Sequence, residues 1–330
     1  MALINASNPS LLDLTQHMDP DGNPAHIIEA LSRQNSLLED MTFIEGNRPT
    51  GHEYTRRTAL PDVAWRKINE GVTPSKDRTS QVTETCGILA GMSKVDRKLV
   101  QLNGGAGYRA AQDSGFLQSM RNKLEYSLFY ESQQTNPERI TGLAPRYNAL
   151  SGETAGQVIS STAGGTPLGA DQCSMFLVVW GPDKVFGVIP KGLPGGMDYV
   201  DMGLQLTKDS SGTKEYLAFV STWDWNVGLC VADTRYVARL ANIDTTNLQK
   251  TGNLLFQDMV TLVNSVQDLE GRAVIYCNRL IQTYLQQQAI DSTKQSTLTY
   301  DNMGGKRVTS FMGIPIRRTD ALNAAEAIVT

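Results

Sequence analysis

The stretch EYLAFVSTWDWNVGLCVADTRYVARLANID, Glu215 to Asp244, reads as two β-strands with a break between them. In the first, Trp223, Trp225, Val227, Leu229 and Val231 hold odd positions, with Thr222, Asp224, Asn226, Gly228 and Cys230 between them. Side chains alternate between the two faces of a strand, so this spacing predicts one buried and one wetter face. From Tyr236 the apolar set moves to even positions, Tyr236, Ala238 and Leu240, leaving Arg235 and Arg239 on the opposite face with Val237 between them. The phase slips at Ala232 to Thr234, which predicts a bulge or tight bend.

Upstream, Val200, Met202, Leu204 and Leu206 alternate with Asp201, Gly203, Gln205 and Thr207, and a turn at Asp209 to Gly212 returns the chain into the Glu215 strand. Ser174 to Trp180 and Val185 to Ile189 are apolar runs joined by Gly181-Pro182-Asp183-Lys184, read as a hairpin buried on both faces. Ser151 to Gly169 is small and polar, hence a loop. Downstream, Leu255, Met259, Leu262, Val263, Val266 and Leu269 have helical spacing, stopped by Gly271. Ala273 to Tyr276 is a short strand, and Asn278 caps a second helix through Leu280, Ile281, Tyr284 and Leu285. Two last strands, near Leu298 to Tyr300 and Arg307 to Ile316, flank the turn DNMGG. The chain is therefore α+β.

The amino-terminal third is less regular. Met1 to Pro24 has few large apolar residues and reads as an extended arm, held either by a neighbouring subunit or by the chain's own core. Pro24 opens a short helix to Asp40, with Ile27, Ile28, Leu31 and Leu38 as its apolar positions. Glu45 to Ser80 is polar and carries Pro49, Pro61 and Pro74, with Trp65 and Ile68 among its few large apolar residues. Alone it buries too little surface to offset its ordering entropy, so it is either a disordered loop or a projecting β-hairpin ordered across another chain. A strand from Gln81 to Val95, with Val82, Cys86, Ile88, Ala90 and Met92 on one face, leads back into the body. NGGAGYR, Asn103 to Arg109, lacks the lysine of a phosphate-binding loop and reads as a plain loop. A capped amphipathic helix follows from Asp113 to Ser132, with Phe116, Met120, Leu124 and Leu128 at fourfold spacing.

Little in the chain points to chemistry. His17, His26 and His52 lie in the arm, the short helix and the extended loop, where solvation explains them. Cys86, Cys173, Cys230 and Cys277 stand far apart with no C-x-x-C pair, as buried free thiols would. Asp224 sits between two tryptophans, but alternation points it away from them. Arg235 and Arg239 lie roughly 13 Å apart along a strand, too far to share one anion. No nucleophile elbow, zinc-protease pair or dinucleotide fingerprint is present. The expectation is no enzyme activity, no cofactor and no metal. The formal charge of −4 over 330 residues gives no basic footprint for nucleic acid. No apolar run spans a bilayer and the Met1 end lacks a secretory pattern, so the chain is expected to be cytosolic at synthesis.

The Glu215 stretch, together with WRKINEGVTPSKDRTSQVTETCGILAG (Trp65 to Gly91) and FMGIPIRRTDAL (Phe311 to Leu322), resembles the major capsid proteins of tailed double-stranded-DNA bacteriophages. The resemblance implies the Hong Kong 97-type, or Johnson, capsid fold. It implies an amino-terminal arm and short helix (1–44), an extended hairpin loop (45–95) and a peripheral domain with a long spine helix (96–148). An axial domain (149–290) and carboxy-terminal strands returning to the peripheral domain (291–330) complete it. It further implies hexamers and pentamers of an icosahedral head enclosing DNA, assembled in the host cytoplasm. Scaffolding, portal and possible cement proteins would be its partners, with weak non-specific contact to DNA and none to membrane. With no long scaffolding segment ahead of the Pro24 helix, the scaffold is expected to be a separate protein. Candidate subunit-interface residues are Arg56, Arg57, Trp65, Arg66, Lys67, Arg235 and Arg239. The rival readings are an encapsulin-like nanocompartment shell, a head-completion or tail ring protein, and a soluble mixed α/β enzyme.

Overall fold

The computed structural model describes residues 36–102, 106–161, 171–193, 195–209, 211–246, 248, 254–290, 298–303 and 306–330. The arm and most of the short helix expected at the amino terminus lie outside this set, its last turn α1 (Leu37–Asp40) falling within it, and residues 162–169 of the loop expected up to Gly169 also lie outside. The described residues divide into two compact units, a smaller one within 88–126 and 196–226 and a larger one within 36–87, 127–195 and 227–330.

The larger unit is built on a mixed sheet. Its central strand β6 (Gln172–Trp180) is buried along its whole length, as its unbroken run of apolar residues anticipated. On one side it pairs antiparallel with β11 (Arg272–Cys277), which pairs parallel with β14 (Ile314–Arg318). β13 (Lys306–Phe311) and β12 (Leu298–Met303) continue that edge. On the other side β6 pairs antiparallel with β10 (Val237–Asp244), which is joined in parallel by β5 (Val158–Ser160). Helices α5 (Leu254–Ser265) and α6 (Arg279–Ile290) cover one face. Leu255, Met259, Leu262 and Ile281 pack there with Leu177, Leu240 and Ile275 in one core. Asn278 caps α6 as its position implied, its Oδ1 accepting from the Leu280 N–H at 3.0 Å.

Several expectations need correction. β6 and β7 (Val185–Ile189) do not form a hairpin. They share a single bridge at Trp180 and Val185, after which β7 joins β1 (Phe43–Glu45) and residues 228–231 of β9 (Glu215–Val231). Both edges of β6 are already taken by β10 and β11, so β7 turns away to a place where its own apolar run is also buried. The carboxy-terminal strands number three, since Met312 and Gly313, both with positive φ, break the expected second one. Strand β5 was not anticipated. The bend expected at Ala232 to Thr234 is present, as a 3-10 turn over Thr234–Tyr236 held by the Asp233 side chain.

The smaller unit holds most of β4 (Gly87–Asp96), then α2 (Arg97–Leu102), α3 (Ala106–Tyr130) as far as Tyr126, and the long hairpin of β8 (Met197–Lys208) with β9. Helix α3 begins at Ala106 instead of Asp113, so part of the NGGAGYR segment is helical. Phe116 stacks on Trp223 at 5.1 Å, and Arg109 lies 4.8 Å over Phe219 while bonding Asp201 at 2.8 Å. Val95, Leu99, Val100 and Tyr108 form a small core with Phe219 against it. Ile88 and Met92 face solvent, and Ser93 and Val95 are buried, so β4 presents the opposite face from the one its alternation suggested. β8 is exposed on both faces, leaving Tyr199, Val200, Met202, Leu204 and Leu206 open.

Candidate assembly interface

Residues Gly51 to Thr85 form an antiparallel hairpin, β2 (Gly51–Ala59) and β3 (Arg78–Thr85), registered from Gly51 opposite Thr85 to Arg57 opposite Thr79. Its root is tied to the larger unit. The Arg146 fork meets both Glu84 carboxylate oxygens at 2.5 and 2.7 Å, and the Tyr54 hydroxyl donates to the Val231 carbonyl at 2.8 Å. Burial pulls the Arg146 guanidinium down, but the Glu84 bonds outweigh it and hold the group above its ordinary value. Asn47 reads the Glu53 backbone in both directions, donating to its carbonyl at 2.6 Å and accepting from its N–H at 2.8 Å. A bidentate pair and an amide clip of this kind resist twisting of the strands.

The tip, residues 60–77, is bare. Val63, Trp65 and Ile68 are 92%, 104% and 91% exposed, and Arg66 and Lys67 beside them are also solvated. Among the described residues its ties are local: a turn with the Glu70 N–H on the Lys67 carbonyl, the Ser75 hydroxyl on the Asp62 carbonyl at 2.7 Å, and Asp77 paired with Arg57 of β2. Apolar side chains held out in this way cost solvation, and among the described residues none covers these three.

Arg56, Arg57 and Arg235 line one cavity of about 790 Å³ between β2 and the Ala232–Arg235 turn, with Glu153 and Asp183 in its wall. Each arginine already carries a carboxylate. Arg56 meets Glu153 at 2.6 Å, Arg57 meets Asp77 at 3.3 Å, and Arg235 meets Asp233 at 2.7 Å. Burial raises Asp233, yet the bonds from the Arg235 side chain and backbone prevail and hold it below the usual carboxylate value. Arg239, expected at a subunit contact, is instead 4% exposed and bonded to Glu326 at 2.7 Å. Both faces of β10 are covered, so alternation set this arginine apart from the apolar core without placing it in water. The Glu84, Arg146 and Glu326 partners are 62 to 87 residues from the groups they hold, beyond the reach of any local spacing rule.

The four cysteines are free thiols, and among the described residues no group of three or more His, Cys, Asp or Glu is placed to hold a metal ion. No described helix is long and apolar enough to cross a membrane.

The sequence profile of major capsid protein GP7 matches residues 19–330. The chain belongs to that major capsid protein family. A chain of the near-atomic cryo-EM structure of bacteriophage Epsilon15 is 34% identical over 100% of both chains, with a TM-score of 0.79. The bacteriophage JBD30 capsid (12% identity, 91% of this chain and 95% of that one, TM-score 0.47) is also similar. So is the SrpI encapsulin of Synechococcus elongatus PCC 7942 (13%, 67% and 93%, 0.40). At those scores neither bears on function, and the encapsulin reading is not favoured over the phage one. No curated protein matches. The capsid protein thus has the α+β Hong Kong 97-type fold of tailed-phage capsids. It is a structural protein of the phage virion that self-assembles into a shell, and its family is not an enzyme family.

Proposed function

We propose that this capsid protein forms both the hexamers and the pentamers of an icosahedral head around double-stranded DNA, with the β2–β3 hairpin lapping a neighbouring copy. The observation that carries the reading is the contrast within the hairpin: a root locked by Arg146, Glu84 and Tyr54, and a tip whose Val63, Trp65 and Ile68 are left uncovered by the described residues. Interfaces draw their energy from a few such aromatic and apolar anchors with basic residues at the rim, here Arg66 and Lys67. Arg56, Arg57 and Arg235 supply a charged wall beside the root, whose exposed ion pairs can exchange partners at little cost.

In this reading 45–95 is the extended loop, 96–148 the peripheral domain with α3 as its spine, 149–290 the axial domain, and 291–330 returning strands; residues 196–226 cluster with the spine residues. Each contact can be weak, because closure of a shell multiplies them and leaves room to correct errors. Assembly takes place in the host cytoplasm with a separate scaffolding protein, a portal and, where present, cement proteins. With a formal charge of −4, contact with packaged DNA is weak and unspecific. The test is the particle size of the purified tag-free protein, by sedimentation and negative-stain microscopy, with and without other head proteins. Shells, or hexamers and pentamers that convert to shells, are expected. A monomer that stays monomeric at high concentration and with a scaffolding partner would refute it.

A further inference from the structure

The segment from Glu326 to Thr330 is stitched into the larger unit by side chains that read its backbone. Asn242, at φ 60°, donates to the Val329 carbonyl and accepts from the Val329 N–H, each at 2.8 Å. The Glu326 N–H bonds the Gln172 carbonyl at 2.8 Å, and the Leu150 N–H bonds the Thr330 carbonyl at 3.2 Å. The Glu326 side chain goes inward, where it takes the Arg239 guanidinium at 2.7 Å, the Ser174 hydroxyl at 2.5 Å and the Tyr130 hydroxyl.

Arg239 is then used a second time. Its other terminal nitrogen donates to the carbonyls of Tyr147 at 2.8 Å and Ala144 at 3.4 Å. Those are residues of, and just after, the helical turn α4 (Leu143–Arg146). The same turn carries Arg146, whose fork holds Glu84 at the hairpin root and whose Nη2 also reaches the Leu229 carbonyl at 3.4 Å. A continuous run of charge-assisted bonds therefore leads from Glu326 through Arg239 and α4 to Glu84, all within one compact unit.

We propose that Glu326–Thr330 is a clasp that aims the assembly hairpin: Glu326 orients Arg239, Arg239 fixes the carbonyls of α4, and α4 presents Arg146 to Glu84. Glu326 and Arg239 are thereby positioning residues for assembly. The clasp rests on the hairpin being the assembly element, and it makes the hairpin's direction depend on a segment 87 residues beyond Arg239. Lysine at 239 could still neutralise Glu326, but a single ammonium on a flexible stem cannot bridge Ser174, Glu326 and Tyr147 as the planar fork does.

The test is hydrogen exchange of the full-length, unassembled chain, read alongside thermal unfolding and assembly. Glu326→Gln and Arg239→Lys should each speed exchange in β2 and β3 by about tenfold or more. Exchange in β11 should stay as in the parent, even for the variant whose melting temperature moves least. Glu326→Gln combined with Glu84→Gln should loosen the hairpin no more than the stronger single change, because both break one chain of bonds. Should Glu326→Gln fail to fold, Asn242→Gly removes the tail clip while tolerating the positive φ, and should raise hairpin exchange similarly. Faster exchange confined to β6 and β10, or additive effects in the double variant, would overturn the clasp. An assembly defect with unchanged hairpin exchange would also overturn it and leave the hairpin's own role standing. A loosened hairpin with normal assembly would sustain the clasp and count against the hairpin as the assembly element.

Discussion

Trp65 stands in the open on a hairpin tip, 104% exposed. Removing it should leave the isolated subunit alone, since surface substitutions away from special features change stability by no more than about 0.5 kcal/mol. An interface anchor is worth about 2 kcal/mol or more when truncated. Trp65→Ala should therefore keep the parent urea midpoint while raising the protein concentration needed for assembly at least about tenfold, measured by light scattering and sedimentation. Arg239 behaves in the opposite way. Arg239→Met strands the Glu326 carboxylate in the core, and breaking one side of a buried pair costs about 3–5 kcal/mol, which a urea titration of the subunit will show. Both residues stood among the candidate interface residues in the sequence. The exposure of Trp65 was legible because a large aromatic in a proline-punctuated polar stretch has no local partner. Arg239 was misjudged because strand alternation sorts side chains into two faces but does not say which face another element covers.

At the level of elements, the signature strands, the bend between them, the β8–β9 turn and the Asn278 cap all follow from spacing and turn chemistry. What spacing could not supply is the partner of each strand. β6 and β7 are adjacent in sequence and both apolar, yet β10 and β11, some 60 to 100 residues later, flank β6. Gly142 shows how tightly such meetings are built. It starts α4, its N–H bonds the Glu131 carbonyl at 2.8 Å, and a Cβ there would lie 2.6 Å from the Ser127 carbonyl oxygen and 2.8 Å from that of Leu128. Backbone atoms at the end of a helix cannot give way as a flexible side chain could. Gly142→Ala should destabilise the subunit by about 1–3 kcal/mol, seen as a lower urea midpoint with unchanged slope.

Across the whole molecule the sequence resemblance reached the family and the shell, while the ties at the hairpin root emerge only in the folded chain, because they join residues far apart in sequence. The thiols offer a test of how closed the larger unit is. Burial pushes Cys86 up to about 11 and Cys230 and Cys277 up to about 12, from an ordinary 9. A group whose folded value is raised stabilises the fold fully below its unfolded value, and loses that contribution as pH rises through the folded one. Stability should therefore hold to about pH 9 and fall progressively toward 11 to 12, followed by circular dichroism. Thiol labelling of the native chain at pH 8 should be slow, with half-buried Cys86 reacting first. Rapid stoichiometric labelling of all four would show that the core opens more readily than its packing indicates.

The central claim is that the hairpin tip meets a second copy of the chain. A photo-crosslinking amino acid placed at position 65, irradiated in assembled shells and mapped by mass spectrometry, tests it without assuming which surface receives the tip. Dimer-sized products whose linked peptides join position 65 to another subunit are expected. Products linking position 65 only to its own chain, or none at all from intact shells, would contradict it.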